Sequence, residues 1–478
     1  MNEEHVIAKN IGFLTLSNVI NGLLNLVLFA IAARYVGTTG LGKYTFAISF
    51  TTLFGAITDL GLSTLAVRHV AKEPAQAEKY LGNIVLLKFF LALISFGLIC
   101  LIISLMHYPP ETTKVVYLIG GGASIASLST GLRWYFQASQ RLRYEAILQI
   151  SYSVFVVFFG ILALTFGFGV IGLGFAQLIG ATLILLPLSW LLVRRLLHFS
   201  LYLDLSFWKS LIKRALPFAL MSVFTTIYLN IDTVMLSIMR GDVVTGLYNV
   251  ASRPIGAVQF LPPLFVTALF PVMSKAYAIS KTDLLEILNK SFQFMLMLSL
   301  PIAVGTTLIA HKIIDTLYGT GFENAVPALQ ILIWAASLVF INGICGTALI
   351  SAGKERLNTT FVGIGVIINI IVNLSLIPSL GHIGTSIGIL VTELFVTASG
   401  ILFVRRYIGF NPLNQIKASY PILMAVVTMG IVVYFLREQS LFISIPCACV
   451  IYFGIILLMR RDYLQFVKAL LNMRSEKH

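Results

Sequence analysis

Charge is what this sequence has least of. Of its 478 residues, 11% are Asp, Glu, Lys or Arg and 58% are hydrophobic, whereas soluble domains carry about 25% charged residues. A soluble fold is excluded, and an integral membrane protein is implied. Cysteine is scarce as well. Cys100, Cys345, Cys447 and Cys449 all sit in apolar runs, so neither a disulfide framework nor a zinc site is expected. The seven histidines show no metal-ligand spacing, and no nucleophile has a base at a suggestive distance. Nothing here points to an enzyme, a metal or a bound cofactor. The net charge of +14 comes without the soluble basic face that nucleic-acid binding requires, so no nucleic-acid partner is expected. No cleavable signal peptide is expected, since Glu3 and Glu4 lead straight into an apolar run, and the first helix is expected to stay as an anchor. Gly167-Phe168-Gly169-Val170-Ile171-Gly172 fits the dinucleotide fingerprint letter by letter, but it joins two apolar runs where that fingerprint needs a strand before it.

What the chain does have is a succession of apolar runs. Hydropathy and turn signals give fourteen spans, at about 10–36, 43–67, 80–106, 115–138, 144–166, 170–193, 215–239, 243–273, 285–310, 326–352, 357–378, 382–404, 418–436 and 440–459. The expected fold is an all-α polytopic membrane protein. With the N-terminus inside, 24 of the 33 Lys and Arg fall on inside segments and 6 outside; Lys88, Arg133 and Arg253 lie within spans. That asymmetry follows the positive-inside rule and places both termini in the cytoplasm.

The chain also repeats itself. Gly37…Gly42-Lys43-Tyr44 recurs as Gly241…Gly246-Leu247-Tyr248 at an offset of 204, and Gly169-Val170-Ile171-Gly172 recurs as Gly381-His382-Ile383-Gly384 at an offset of 212. The common order favours duplication of a six-helix unit, with both copies in one orientation. The expected division is 1–199 for one lobe, 200–410 for the second, and 411–478 for two added spans and a tail.

Charges inside spans are costly, so they normally face protein or a wet cavity and find partners. Asp232 and Arg253 lie nine residues before and twelve after Gly241, which gives them similar depths on antiparallel helices at about 1.5 Å per residue. Polar residues fall at helical spacing around them: Asn18, Asn21 and Asn25 on span one; Ser49, Thr52, Asp59 and Ser63 on span two; Thr225, Tyr228 and Asp232 on span seven; Asn249, Arg253 and Gln259 on span eight. These stripes are expected to face one another between the lobes, either lining a polar cavity or bonding helix to helix. Arg34 reads as a residue that reaches the headgroups, and Arg68 as either that or a cavity mouth. Lys88 reads as able to reach the cytoplasmic headgroups, and Arg133-Trp134-Tyr135 as an interfacial belt. Glu393, midway along span twelve and matched in the repeat by Ala181, is a candidate proton site. The prolines at 254, 262, 263 and 271 are expected to kink span eight.

Fourteen spans arranged six, six and two, the motif Gly37-Thr38-Thr39-Gly40-Leu41-Gly42-Lys43-Tyr44, and Asp59-Leu60-Gly61-Leu62 resemble the polysaccharide transporter (O-antigen flippase) family. That family belongs to the multidrug/oligosaccharidyl-lipid/polysaccharide exporter superfamily. The resemblance implies two V-shaped lobes around a central cavity in the cell membrane and alternating access. It also implies transfer of a lipid-diphosphate-linked oligosaccharide to the outer leaflet, for surface glycan assembly, among membrane lipids and glycan-assembly proteins. On that expectation Asn21, Asn25, Arg34, Asp59, Arg68, Asp232, Asn249, Arg253 and Gln259 contact substrate, with Arg253 attracting phosphate and Asp232 as its resting counter-charge. A second expectation is an ion-coupled multidrug exporter, in which Asp59, Asp232 and Glu393 carry the coupling. A third is a flippase for a lipid-linked peptidoglycan precursor. H⁺, Na⁺ and the membrane potential are the candidate driving forces.

Overall fold

A computed structural model of the chain describes residues 3–197, 200 and 203–459. The basic tail counted above (Arg460, Arg461, Lys468, Arg474, Lys477) lies outside the described residues. Among the described residues all regular structure is helical. A chain this apolar must satisfy its backbone groups internally, and a helix does so within one segment.

The first helix, α1, runs Glu3–Asp59 and is broken at Gly37, where φ is 64° and ψ −171°. It is followed by α2 (Leu62–Val70), α3 (Ala77–Leu105), α4 (Pro110–Ala138), α5 (Leu142–Thr165), α6 (Gly169–Gly180) and α7 (Leu186–Arg194). Helix α8, Leu205–Gln259, repeats the break of α1 at Gly241, with φ 77° and ψ −173°. Such positive φ strains any residue with a Cβ, which is why both breaks fall on glycine. Then come α9 (Leu261–Ile279), α10 (Lys281–Tyr318), α11 (Val326–Ser351), α12 (Glu355–Leu380), α13 (His382–Ile408), α14 (Pro412–Ala418), α15 (Tyr420–Phe435) and α16 (Leu441–Met459).

Among the described residues, eleven helical stretches are long and apolar enough to cross a membrane, or twelve if α14 and α15, bent by 56°, are one span. Two of the stretches, Gly12–Asp59 and Leu205–Ile279, hold 48 and 75 residues. At about 1.5 Å per residue, each is more than twice the length that a core of about 30 Å needs.

The chain forms two compact units, 1–249 and 250–478. In the first, Leu62, Tyr80, Leu81, Leu132, Trp134 and Trp208 are buried together, and the Trp208 indole donates to Asn83 Oδ1 at 3.1 Å. In the second, Phe292, Phe340, Ile344, Phe361 and Phe410 form one cluster. Met429, Val433 and Tyr452 form another, pinned where Tyr452 donates to the Met297 carbonyl at 2.7 Å. Lipid tails are as apolar as leucine, so close packing and hydrogen bonds hold helices together in a bilayer. Small residues allow that approach: a Cβ on Gly122 would meet the Leu178 backbone at 3.2 Å. Large apolar side chains such as Leu101, Phe158, Leu402 and Phe442 are exposed, as suits a lipid-facing surface.

Three spans are not continuous α-helices, and the third breaks where its prolines are expected to kink it. Span two is interrupted at Leu60 and Gly61, with φ of 43° and 70°, and glycine is needed at the second position, where a Cβ would stand 2.6 Å from Phe218 Cβ. Span six passes through a π-helical turn, Ala181–Leu185. Span eight stops at Phe260 and restarts as α9 with proline in its first turn, where a missing N–H costs nothing.

Candidate functional site

The polar groups within the first unit form three assemblies. In the first, Lys88 is fully buried and its ammonium is satisfied three ways. It pairs with Asp59 and donates to Ser63 Oγ at 2.9 Å and Thr130 Oγ1 at 2.7 Å. Ser63 in turn donates to Asp59 Oδ1 at 2.6 Å, so the break after Asp59 brings the two residues together across it. The Asp59 side chain keeps 28% exposure, which leaves one carboxylate edge open while the lysine is sealed. Gly131 makes room for the lysine stem, since a Cβ there would sit 3.1 Å from Lys88 Cδ. The expectation that Lys88 reaches headgroups is therefore corrected: a carboxylate and two hydroxyls inside the bundle replace water completely.

The second assembly is a ladder from α4 through α5 to α1. Arg133 Nε donates to Glu145 Oε2 at 3.0 Å, with a second bond from Arg133 Nη2 to Oε1. Gln149 Nε2 reaches Glu145 Oε1 at 3.2 Å. Gln149 Oε1 accepts from Ser17 at 3.0 Å and from Asn21 at 3.2 Å. This corrects the interfacial-belt reading of Arg133-Trp134-Tyr135. Trp134 is buried, and Arg133 makes a bidentate pair, the geometry that favours arginine over lysine. Asn25 instead bonds within its own helix, to the Asn21 carbonyl at 2.8 Å.

The third assembly joins the two glycine breaks. A Cβ on Gly42 would lie 1.8 Å from the Asp242 carbonyl oxygen, and one on Gly246 would lie 2.0 Å from the Thr38 carbonyl oxygen. Thr38 and Asp242, like Gly42 and Gly246, are 204 positions apart, so each hairpin tip lays its glycine on the backbone of the other. Beside this contact Tyr108 and Ser237 share a hydrogen bond of 3.0 Å, Tyr108 stacks on Phe46 with centroids 4.5 Å apart, and Lys43 pairs with Glu111. Tyr108 lies in the loop between α3 and α4. Burial, and more weakly the Asp242 carboxylate, push its hydroxyl above the ordinary tyrosine range against the opposing bond from Ser237.

The remaining site residues are spread more widely. Asp232 is buried within electrostatic reach of Tyr248, which also feels Tyr228. Asn249 is buried and bonds to Thr233 Oγ1 at 3.5 Å and to the Thr245 carbonyl at 3.0 Å. Arg34 and Arg68 are exposed, as is Gln259 at the end of α8. In the second unit Arg253 is half-buried and acts electrostatically on the buried Tyr318. Glu393 is buried and accepts from Asn342 Nδ2. Sequence reasoning passed over Glu145, Gln149, Thr130, Tyr108, Ser237 and Asn342. Among the described residues, no three His, Cys, Asp or Glu are grouped to hold a metal.

Comparison with known proteins places this architecture. The polysaccharide biosynthesis protein family matches residues 7–277, and the lipid II flippase MurJ family matches 153–452. The chain belongs to the MurJ/polysaccharide-biosynthesis family of membrane flippases. The lipid II flippase MurJ of Bacillus subtilis is 22% identical, over 88% of this chain and 86% of its own. A putative O-antigen transporter of Shigella dysenteriae is also 22% identical, over 72% of this chain and 86% of its own. An uncharacterized membrane protein of Methanocaldococcus jannaschii is 25% identical over 56% of this chain, which spans half the length of that protein. The fold is that of a solved lipid II flippase MurJ in an inward closed conformation, with a TM-score of 0.78 at 15% identity, covering 95% of this chain and 100% of the other. A MATE-family multidrug transporter in an inward-facing conformation follows at 0.61 and 16% identity, over 83% of this chain and 94% of the other.

Proposed function

We propose that this flippase carries a lipid-diphosphate-linked oligosaccharide from the cytoplasmic to the outer leaflet of the cell membrane by alternating access. The carrying observation is the reciprocal contact of Gly42 on Asp242 and Gly246 on Thr38. It brings two repeat-related hairpin tips together backbone to backbone at their glycines, beside the Tyr108–Ser237 hydrogen bond, and in this reading the tips part and re-form. In this reading the limbs of α1 and of α8–α9 each count as spans, giving fourteen with both termini cytoplasmic. The lobes are about 1–199 and 200–410, in parallel repeat, with 411–478 as an addition, and the glycine contact faces outside.

The headgroup is large, polar and anionic. Arg253, with Arg34 and Arg68, supplies planar cations that suit phosphate. Asn21, Asn25, Asn249 and Gln259 supply amides, and Asp59 and Asp232 supply acceptors for sugar hydroxyls. Family membership and the similarity to the putative O-antigen transporter of Shigella dysenteriae support this reading.

The match of the MurJ family and the length of the Bacillus subtilis alignment favour a second reading, a lipid II-type peptidoglycan precursor. Both substrates share a polyprenyl diphosphate bearing sugar. Reconstituted vesicles loaded with one or the other, and probed from outside for headgroup accessibility, separate the two. Transport of the oligosaccharide lipid supports the first reading, transport of the precursor alone supports the second, and protein-free rates for both refute the proposal.

A further inference from the structure

Glu393 lies midway along α13 with the protein closed around it, 5% exposed. Its carboxylate accepts from Asn342 Nδ2 on α11. Asn342 Oδ1 accepts in turn from Thr397 Oγ1 at 2.6 Å, and that hydroxyl is also 2.7 Å from the Glu393 backbone carbonyl. Thr397 has one proton and two acceptors in reach, so one of them is always spare. An asparagine amide is nearly symmetric in shape, and a half-turn about its last bond exchanges a donor for an acceptor.

We propose that Glu393 is a proton-binding site of the second unit, and that the Asn342 amide rotates as the proton binds. In the ionised state Thr397 O–H donates to Asn342 Oδ1, and Asn342 Nδ2–H donates to the carboxylate. When a proton adds to Glu393 Oε2, the amide turns over. The new O–H donates to Asn342 Oδ1, Nδ2–H donates to Thr397 Oγ1, and the Thr397 proton swings to the Glu393 backbone carbonyl. No covalent bond of the protein other than the new O–H forms, none breaks, and the hydrogen bonds lost among the three side chains are replaced by others. A buried carboxyl whose partners could serve only one state would resist the change by the cost of an unmet polar group, about 1–3 kcal/mol. In this trio each hydrogen bond lost on protonation has a replacement.

The surrounding elements carry few titratable groups near this depth. On α11 there is Cys345, beside Gly400, two turns along α13 from Glu393. Helix α12 has Glu355 and Arg356 in its first turn, and α13 has His382 at its start and Arg405 and Arg406 at its end. On α10, the charged or titratable residues nearest the middle are Lys290 and His311. In the repeat, the position of Glu393 is taken by Ala181, which opens the π-helical turn, so the acid belongs to one half alone. The site rests on the transport reading for its use, as the point where a proton gradient acts on the second half.

The test needs no substrate. The full chain in lipid nanodiscs is titrated from neutral to acid pH while infrared difference spectra are recorded. Wild type is expected to gain a protonated-carboxyl C=O band together with a change in the side-chain amide band. Glu393→Gln should lose the carboxyl band. Asn342→Leu should keep it and lose the accompanying amide change. Thermal melts of both variants show whether each is folded, and Thr397→Val, which keeps shape, serves if either is not: it should retain the carboxyl band with an altered amide change. An unchanged carboxyl band in Glu393→Gln, or an amide change that survives in Asn342→Leu, would overturn the proposal. Because flipping is read separately, a chain with the Glu393 signal and no transport refutes the transport reading alone, and a chain with transport and no such signal refutes the proton site alone.

Discussion

Lys88 and Asp59 lie on either side of the turn at Glu73 and Pro74, fifteen residues after the former and fourteen before it, and meet inside the first unit as an ion pair. The lysine is sealed and the aspartate keeps one open edge. Removing one member of such a pair costs about 3–5 kcal/mol, whereas replacing both with apolar groups is often neutral. Asp59→Leu alone is therefore expected to lower the thermal stability of the purified protein sharply. Lys88→Met with Asp59→Leu should recover most of the loss. Melting of the single and double variants in one detergent checks this, and a double variant as unstable as the single contradicts it.

The reciprocal glycine contact predicts symmetric consequences. A methyl at Gly42 or at Gly246 must displace backbone, not a flexible side chain. Gly42→Ala and Gly246→Ala should each separate the hairpin tips, to a similar extent. Labelling of a cysteine placed at Thr38, with exposed native cysteines replaced, should rise several-fold in both variants and equally so.

Tyr108 gives that contact a pH signature. Its hydroxyl titrates above the ordinary tyrosine value of about 10, so the folded state holds this proton more tightly than the unfolded one does. The stabilisation is complete below about pH 10 and is lost as pH rises through the raised value. Labelling at Thr38→Cys rises with pH in any background as the thiol ionises, so the ratio of wild-type to Tyr108→Phe rates is the readout: it is expected to stay constant from pH 7 to about 10 and to increase above that. Below about pH 10 the ratio is displaced from one by the loss of one hydrogen bond, about 0.5–1.5 kcal/mol.

Arg253 is the cation proposed to meet phosphate. Hydrogen bonds to charged groups contribute about 1.5–3 kcal/mol, so Arg253→Gln should reduce flipping by about 10- to 100-fold, and Arg253→Glu should abolish it. Arg253→Lys should retain part of the activity, since the charge survives without the planar fork. Unchanged transport in Arg253→Glu removes this residue from the mechanism.

Much of this architecture was legible in the residues. The breaks at Gly37 and Gly241 were marked by glycine between long apolar runs, and the 204-residue offset paired the two hairpins, but the contact of Gly42 and Gly246 with the opposite backbone was not read from it. Counting residues outward from a turn reaches further than the one place where it was applied. Used for Asp232 and Arg253, it would have found Asp59 with Lys88 across the Glu73 turn. It would also have found Arg133 with Glu145, seven before and five after Gln140. Antiparallel neighbours in sequence share depth, so such pairs can be read from position alone. Asn342 and Glu393 could not be, because α11 and α13 are separated by a whole helix and their packing depends on tertiary contacts. The closeness that demands glycine at Gly61 was hidden for a similar reason: the neighbour is Phe218, more than 150 residues away.

The central claim is that this flippase moves a lipid-diphosphate-linked sugar between leaflets through parting of the glycine hairpins. It is tested most directly by bridging Thr38→Cys to Asp242→Cys with a short bifunctional thiol reagent in reconstituted vesicles. Arrival of the labelled headgroup at the proposed outer face is then followed. The account predicts transport before bridging, loss after it, and recovery when the bridge is cleaved. Headgroup transfer that continues at the same rate with the tips bridged would contradict it.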